Sequence, residues 1–293
     1  ATGEPFSMSK PSVPRHITLA TDLSSRSDRA YDRAMALVRA WQARIQIVHA
    51  VEAFQYTFWS QGPSWRRSDP VAIAQRKLAR EYPDWPAVGA SLVVKNGDAY
   101  ELVTAAARDQ ASELVVTGIA HDETYGADKL GRMVVELVRN GPAPVLVVKR
   151  RGHKPYERIV VASDLSEVSR QAVELALAAF PNAQFTLFHA FDLPYRGLVD
   201  DMANIERDMR AAETERARDW LRETIGSRLD PVEVVAEMGP IASNVTKYVA
   251  DKQIELVVVG SSGRSGLAAA LVGSAAVEIL EQVDCDVLAV RQQ

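Results

Sequence analysis

The chemistry of this chain turns on Gly260, Gly263, Gly273 and Ser274. They sit in Leu256-Val257-Val258-Val259-Gly260-Ser261-Ser262-Gly263-Arg264, continued by an apolar run to Gly273-Ser274. Without a Cβ, Gly260 and Gly263 permit positive φ and let the backbone come close to a ligand. Gly273-Ser274 stands where a helix over 274–283 begins. The first N–H groups of that helix have no intrahelical partner and carry the positive end of its dipole. A strand ending at Val259-Gly260, a glycine turn and a free helix N-terminus together form a phosphate cradle. The competing reading is a tight strand-to-helix connection whose glycines serve geometry only.

The elements that position these residues occur twice. Ile17-Thr18-Leu19-Ala20-Thr21-Asp22-Leu23-Ser24 matches Ile159-Val160-Val161-Ala162-Ser163-Asp164-Leu165-Ser166 at an offset of 142 (164 minus 22). Glu113-Leu114-Val115-Val116-Thr117-Gly118 matches Glu255 to Gly260 at the same offset, and Val145 to Val148 matches Val287 to Val290. The chain is therefore a tandem duplication. Its boundary lies in the basic linker Arg150-Arg151-Gly152-His153-Lys154-Pro155, giving domains of 1–152 and 153–293.

Each copy alternates strand and helix. Strands are expected near 16–21, 44–51, 89–95, 113–118 and 145–149, with helices near 25–43, 69–82, 98–110 and 127–140. The second copy repeats them at 158–163, 184–190, 231–237, 254–260 and 286–291, with helices near 167–180, 200–226, 240–252 and 274–283. This predicts an α/β fold: two tandem five-stranded, mostly parallel sheets with helices on both faces, Rossmann-like. Ligands of such sheets sit beyond the C-terminal strand ends, where strand order reverses. Asp22 and Asp164 follow the first strands, and Gly118 and Gly260 follow the fourth.

The chain has 293 residues, 47% of them hydrophobic, enough for two cores. A net charge of −4 gives no electrostatic footprint for nucleic acid or an anionic membrane. The one cysteine, Cys285, leaves no intrachain disulfide and fits a reducing cytoplasm. No apolar run is long enough for a membrane span, and no leader is expected. Ala1 to Ser7 precede Met8 and read as an expression remnant.

Gly260-x2-Gly263-x9-Gly273-Ser274 resembles the motif of the ATP-binding universal stress proteins. Val161-Ala162-Ser163-Asp164-Leu165-Ser166, Phe188-His189-Ala190 and Cys285-Asp286-Val287-Leu288-Ala289-Val290 are similar to that family as well. The resemblance covers essentially the whole chain and implies an adenine nucleotide α-hydrolase-like fold, with an ATP site in the second domain. It implies that Asp164 contacts the nucleoside end, with Ala162 and Ser163 beside it and Ala190 on the adenine side. Val259, Gly260, Gly263, Gly273 and Ser274 would hold ribose and phosphates, with Ala275 and Ala276 following at the helix start. Arg264 is a charged donor within sequence reach of the phosphates. ATP, with or without magnesium, is the expected cofactor. Many members carry a hydroxyl where Ala275 or Ala276 stands, so the phosphate grip here is expected to be weaker.

The first domain departs from the motif. It reads Gly118-x2-His121-x9-Gly131-Arg132, so a Cβ at 121 opposes close approach while Arg132 either fills the site or supplies charge in place of magnesium. ATP binding of the family type is not expected there. The resemblance also implies that the fifth strands of the two domains pair within the chain, and that the protein associates further as a homodimer.

Other candidates have plainer readings. Asp22, Asp164, Ser24 and Ser166 are potential caps of the first helix in each copy. His49 and His189 are strand-end residues that read as hydrogen-bonded packing groups. No histidine pair has metal-ligand spacing. Cys285, before a buried strand, reads as inert packing. Trp59, Trp65 and Trp85 either pack a helix on the sheet or form a partner surface. The mixed charges of 206–222 read as a solvated helix face. There is no Walker lysine, no base beside the phosphates and no acidic cluster for two metals, so ATP turnover is expected to be slow or nil. The reading that follows is a stress-response sensor or regulator carrying its nucleotide in the C-terminal domain, with loops 191–200 and 260–273 moving on binding to change a partner surface. Alternatives are an interaction scaffold without nucleotide, or a stress protein that binds another small ligand such as a lipid or metal.

Overall fold

The computed structural model describes residues 12–24, 27–51, 69–119, 130–152, 154–192, 202–226, 232–261 and 274–291. In the first half, β1 (His16–Ala20), β2 (Arg44–Val51), β3 (Ser91–Asn96), β4 (Leu114–Gly118) and β5 (Val145–Val148) alternate with α1 (Ser27–Trp41), α2 (Pro70–Glu81), α3 (Ala99–Asp109) and α4 (Arg132–Asn140). In the second half, β6 (Arg158–Ser163), β7 (Gln184–Phe191), β8 (Val232–Met238), β9 (Leu256–Gly260) and β10 (Asp286–Val290) alternate with α5 (Glu167–Ala179), α6 (Met202–Ile225), α7 (Ile241–Lys252) and α8 (Ser274–Gln282).

The two five-stranded sheets join into one sheet of ten strands, in the order β3-β2-β1-β4-β5-β10-β9-β6-β7-β8. All pairings are parallel except β5 with β10, which are antiparallel, with Leu146 opposite Leu288. The fifth strands therefore cover each other, which leaves neither apolar edge bare. Central strands such as Leu256–Gly260 are buried on both faces, which is why they read as unbroken aliphatic runs.

Helices α1, α2, α5 and α6 cover one face and α3, α4, α7 and α8 the other, each over a core that continues across both halves. The charged face of α6 carries ion pairs such as Arg210–Glu206 at 2.8 Å, while Ala217 and Leu221 of the same helix are fully buried. That is the solvated face the mixed charges predicted. Trp85, in a 3-10 turn at Trp85–Val88, packs partly buried against the core. Trp59 and Trp65 lie outside the described residues.

One boundary needs correction. A helix over 127–140 was expected, but Leu130 forms a bridge and α4 starts at Arg132 with Gly131 as N-cap. Gly131 has an extended ψ of 144°, which helical backbone does not permit.

Candidate functional site

Strand order reverses between β1 and β4 in the first half and between β6 and β9 in the second. The register of the two crossovers is the same: Ile17 lies opposite Leu114, and Ile159 opposite Leu256. A crevice must open there, because the connections leave β6 and β9 on opposite faces of the sheet. In the second half it is a cavity of about 190 Å3. Its walls include Ala162, Ser163 and Asp164 at the end of β6, and Val259 and Gly260 at the end of β9. Ala190 of β7 closes one side, and Ser274, Ala275 and Ala276 of α8 close another. Gly263, Arg264 and Gly273 lie outside the described residues, as do most of the 191–200 and 260–273 loops.

Four lining residues were not singled out from the sequence: Ser169, Ile241, Ser261 and Ile279. Ile241 and Ile279 enter because α7 and α8 pack on the sheet beside the crevice. Ser261 is 1% exposed, its N–H donates to the Val290 carbonyl at 2.7 Å, and its hydroxyl has no hydrogen-bond partner among the described residues. An unpaired buried hydroxyl on a cavity wall is a group waiting for a polar ligand atom. Its place directly after Gly260 was the available sequence signal.

The aspartate turn is built alike in both halves. Asp164 Oδ1 accepts from the Ser166 N–H at 3.1 Å and the Ser169 hydroxyl at 2.8 Å. Ser166, not Asp164, is the N-cap of α5, accepting from the Ser169 N–H. Leu165 between them has φ of 61°, with its N–H held by Ser163 Oγ at 3.0 Å. In the first half Asp22 accepts from the Ser24 N–H at 2.9 Å and from the Ser27 hydroxyl, and Leu23 has φ of 58°. Left-handed backbone is costly for leucine, so the fold imposes this turn twice. The aspartates brace the turn as well as facing out of it. Asp164 Oδ2 keeps no partner among the described residues.

Gly260 is not in the left-handed region, contrary to the freedom of φ expected of it. Its role is close packing: a Cβ there would stand 3.0 Å from Val168 Cγ1 of α5. Behind the turn, His189 Nδ1 donates to the Ser163 carbonyl at 2.9 Å, and its Nε2 lies 3.5 Å from Glu213 of α6. His49 repeats the first bond to Thr21 at 2.8 Å. Both histidines are the packing groups that their strand-end positions suggested.

The first half differs where the motif differs. Arg132 pairs with Asp98, the N-cap of α3, and lies 3.9 Å from Glu136. Its side chain is 72% exposed, so it is tied to the surface and does not fill the crevice. Met133 and Val134 occupy the places of Ala275 and Ala276, and Ile119 the place of Ser261; all three pack in the core on that face. His121 lies outside the described residues.

Cys285 is fully buried, and burial pushes its thiol up to about 12. Among the described residues no group of three or more His, Cys, Asp and Glu could hold a metal ion, and no helix is long and apolar enough to cross a membrane.

The model of the universal stress protein family matches residues 14–149 and again 155–291. A universal stress protein of Mycobacterium bovis is 27% identical over 314 aligned residues, which cover 97% of this chain and all of that protein. A universal stress protein A homologue of Coxiella burnetii is 33% identical over 141 residues, 46% of this chain and 96% of its own length. The crystal structure of a universal stress protein from Archaeoglobus fulgidus shares the fold with a TM-score of 0.65 at 17% identity, over 94% of this chain and 96% of that one. With two copies of the family unit joined through their fifth strands, the chain belongs to the universal stress protein family.

Proposed function

We propose that the C-terminal half binds an adenine nucleotide, ATP with or without magnesium, in the cavity at the ends of β6, β7 and β9, and that the protein acts as a stress-response sensor or regulator. The observation that supports this reading is that nine of the residues the family resemblance implies, from Ala162 to Ala276, line one cavity, whose wall also holds the Ser261 hydroxyl, unpaired among the described residues. The alanines leave room for a planar base and ribose. Asp164 Oδ2 suits ribose hydroxyls as an acceptor. The N-terminus of α8 favours phosphate by roughly 0.3–1 kcal/mol at an exposed site. In this reading the nucleotide works as a bound signal with slow turnover at most.

The test is to denature the purified protein, identify released nucleotide by mass spectrometry, and titrate ATP calorimetrically into wild type, Gly263→Asp and Ser274→Arg/Ala275→Met. The double variant installs the residues of the first half. Ser274 and Ala275 are both exposed, so it tests the site without disturbing the core. Loss of binding in both variants is expected. Equal affinity in all three proteins, or no nucleotide binding by wild type, would leave the interaction scaffold as the better reading.

A further inference from the structure

A second cavity, of about 480 Å3, lies at the opposite ends of the strands, where the two halves meet. One wall is the C-terminal half of α1, with Ala36, Ala40 and Trp41. The facing wall is the segment before β6, with Lys154 and Tyr156, and the end of α5 with Ala178 and Phe180. Nucleotide residues are absent from its lining, so it is separate from the crevice described above.

Its chemistry is one-sided. Among the described residues three cations line it, Arg15, Arg33 and Lys154, and no carboxylate does, although acids outnumber bases 38 to 34 in the chain. The Arg15 guanidinium donates to the Trp41 carbonyl at 2.6 Å and only its backbone N–H meets a carboxylate, that of Glu113 at 2.5 Å; among the described residues neither the Arg15 nor the Lys154 side chain forms an ion pair. Arg33 is 5% exposed and forms an ion pair with Asp286 at 3.7 Å, and its Nε has no hydrogen-bond partner among the described residues. The remaining surface is aromatic and preformed. Trp41 and Phe180 rings are 5.7 Å apart, Tyr156 meets Phe180 edge-on at 5.3 Å, and Trp41 Nε1 donates to the Ala179 carbonyl at 3.1 Å. An apolar cavity of a few hundred cubic ångströms with a few convergent polar groups is the usual form of a small-molecule site.

We propose that this interdomain cavity binds a small monocarboxylate with an apolar body, the body against Trp41, Tyr156 and Phe180 and the carboxylate among the three cations. Such a ligand touches α1 of one half and α5 and the linker of the other, so it binds only when the halves are docked.

The probes are decanoate, decyltrimethylammonium and anilinonaphthalene sulfonate, all below micelle-forming concentrations, with the full chain. Sulfonate fluorescence is expected to rise to a saturable 1:1 endpoint. Decanoate displaces it, while decyltrimethylammonium, with the same body and opposite charge, does not. Lys154→Glu raises the decanoate Kd about tenfold, the size of one charge-assisted hydrogen bond. Ala40 is exposed at the surface of α1, so Ala40→Trp can fill the cavity without overpacking the core and abolishes displacement. Ala275→Met, in the other cavity, leaves decanoate binding unchanged. Equal displacement by the anion and the cation overturns the proposal, as does retention of decanoate affinity by both Lys154→Glu and Ala40→Trp.

Discussion

Asp286 is a residue whose change to asparagine, a one-atom replacement, should cost this fold several kcal/mol. It is 1% exposed, at the start of β10 beside the junction of the halves. It accepts from the N–H of Lys149 at 2.8 Å, the N–H of Arg150 at 3.0 Å and the hydroxyl of Tyr156 at 2.6 Å. Arg33 of α1 lies 3.7 Å away, stacked 4.0 Å over the Tyr156 ring, with another nitrogen on the Lys154 carbonyl at 2.6 Å. Asp286→Asn keeps the volume but removes the charge that offsets Arg33, and turns an amide NH2 toward donors. Breaking a buried pair from one side costs about 3–5 kcal/mol, and the carbonyl that asparagine retains places this case near the lower end. Arg33→Met leaves Asp286 with its three hydrogen bonds and costs about 1–2 kcal/mol. In the double variant no guanidinium is stranded, so its cost falls short of the sum by at least about 1 kcal/mol. Urea unfolding followed by far-UV circular dichroism and tryptophan fluorescence measures all three. A cost below about 1 kcal/mol for Asp286→Asn, or single costs that add within about 0.5 kcal/mol, would refute the reasoning.

Three further outcomes are expected. Gly260→Ala forces a Cβ to 3.0 Å from Val168 Cγ1 and destabilises by about 1–2 kcal/mol in urea melts, with Val168→Ala recovering part of the loss. Cys285, with its thiol pushed by burial up to about 12, stays unmodified by a thiol-specific chromogenic reagent at pH 8 in the native protein and reacts fully in denaturant. Burial would raise the Asp22 carboxyl, but hydrogen bonds from Ser27 and Ser24 outweigh it and hold it below 3.8. A carboxyl lowered in the folded state stabilises above its unfolded value, and that contribution disappears as pH falls through the folded value. The stability deficit of Asp22→Asn is therefore full at neutral pH and vanishes in acid; a deficit that grows on acidification would show the opposite linkage.

Much of this protein could be read from the order of its residues, because the deciding signals were local. Aliphatic runs such as Leu256 to Val259 need burial on both faces, so they announce a central parallel strand wherever they occur. The offset of 142 residues then places each copy on the same template. The replacement of Gly263 and Ser274 by His121 and Arg132 in the other copy identified the divergent half. Local rules failed where partners are distant in sequence. Gly260 looked like a positive-φ position, but the reason for glycine is the approach of α5, which no neighbouring residue reveals. Leu23 and Leu165 carry left-handed backbone that propensity assigns to glycine, because hydrogen bonds from the strand end enforce it.

The sequence alone determined the duplication, the alternation of strand and helix, and the residues that would meet at the end of β6 and β9. Only the tertiary structure decided how the copies meet. Antiparallel pairing of β5 with β10 makes one sheet of two, since the edge N–H and C=O groups of each strand are satisfied by the other. That union buries Asp286 against Arg33 and opens the cationic cavity between α1 and α5. The position equivalent to Asp286 in the first half is Pro144, which can neither accept those bonds nor carry a charge. The interface is therefore asymmetric although the repeat is not, and that asymmetry exists only once residues more than a hundred positions apart are brought into contact.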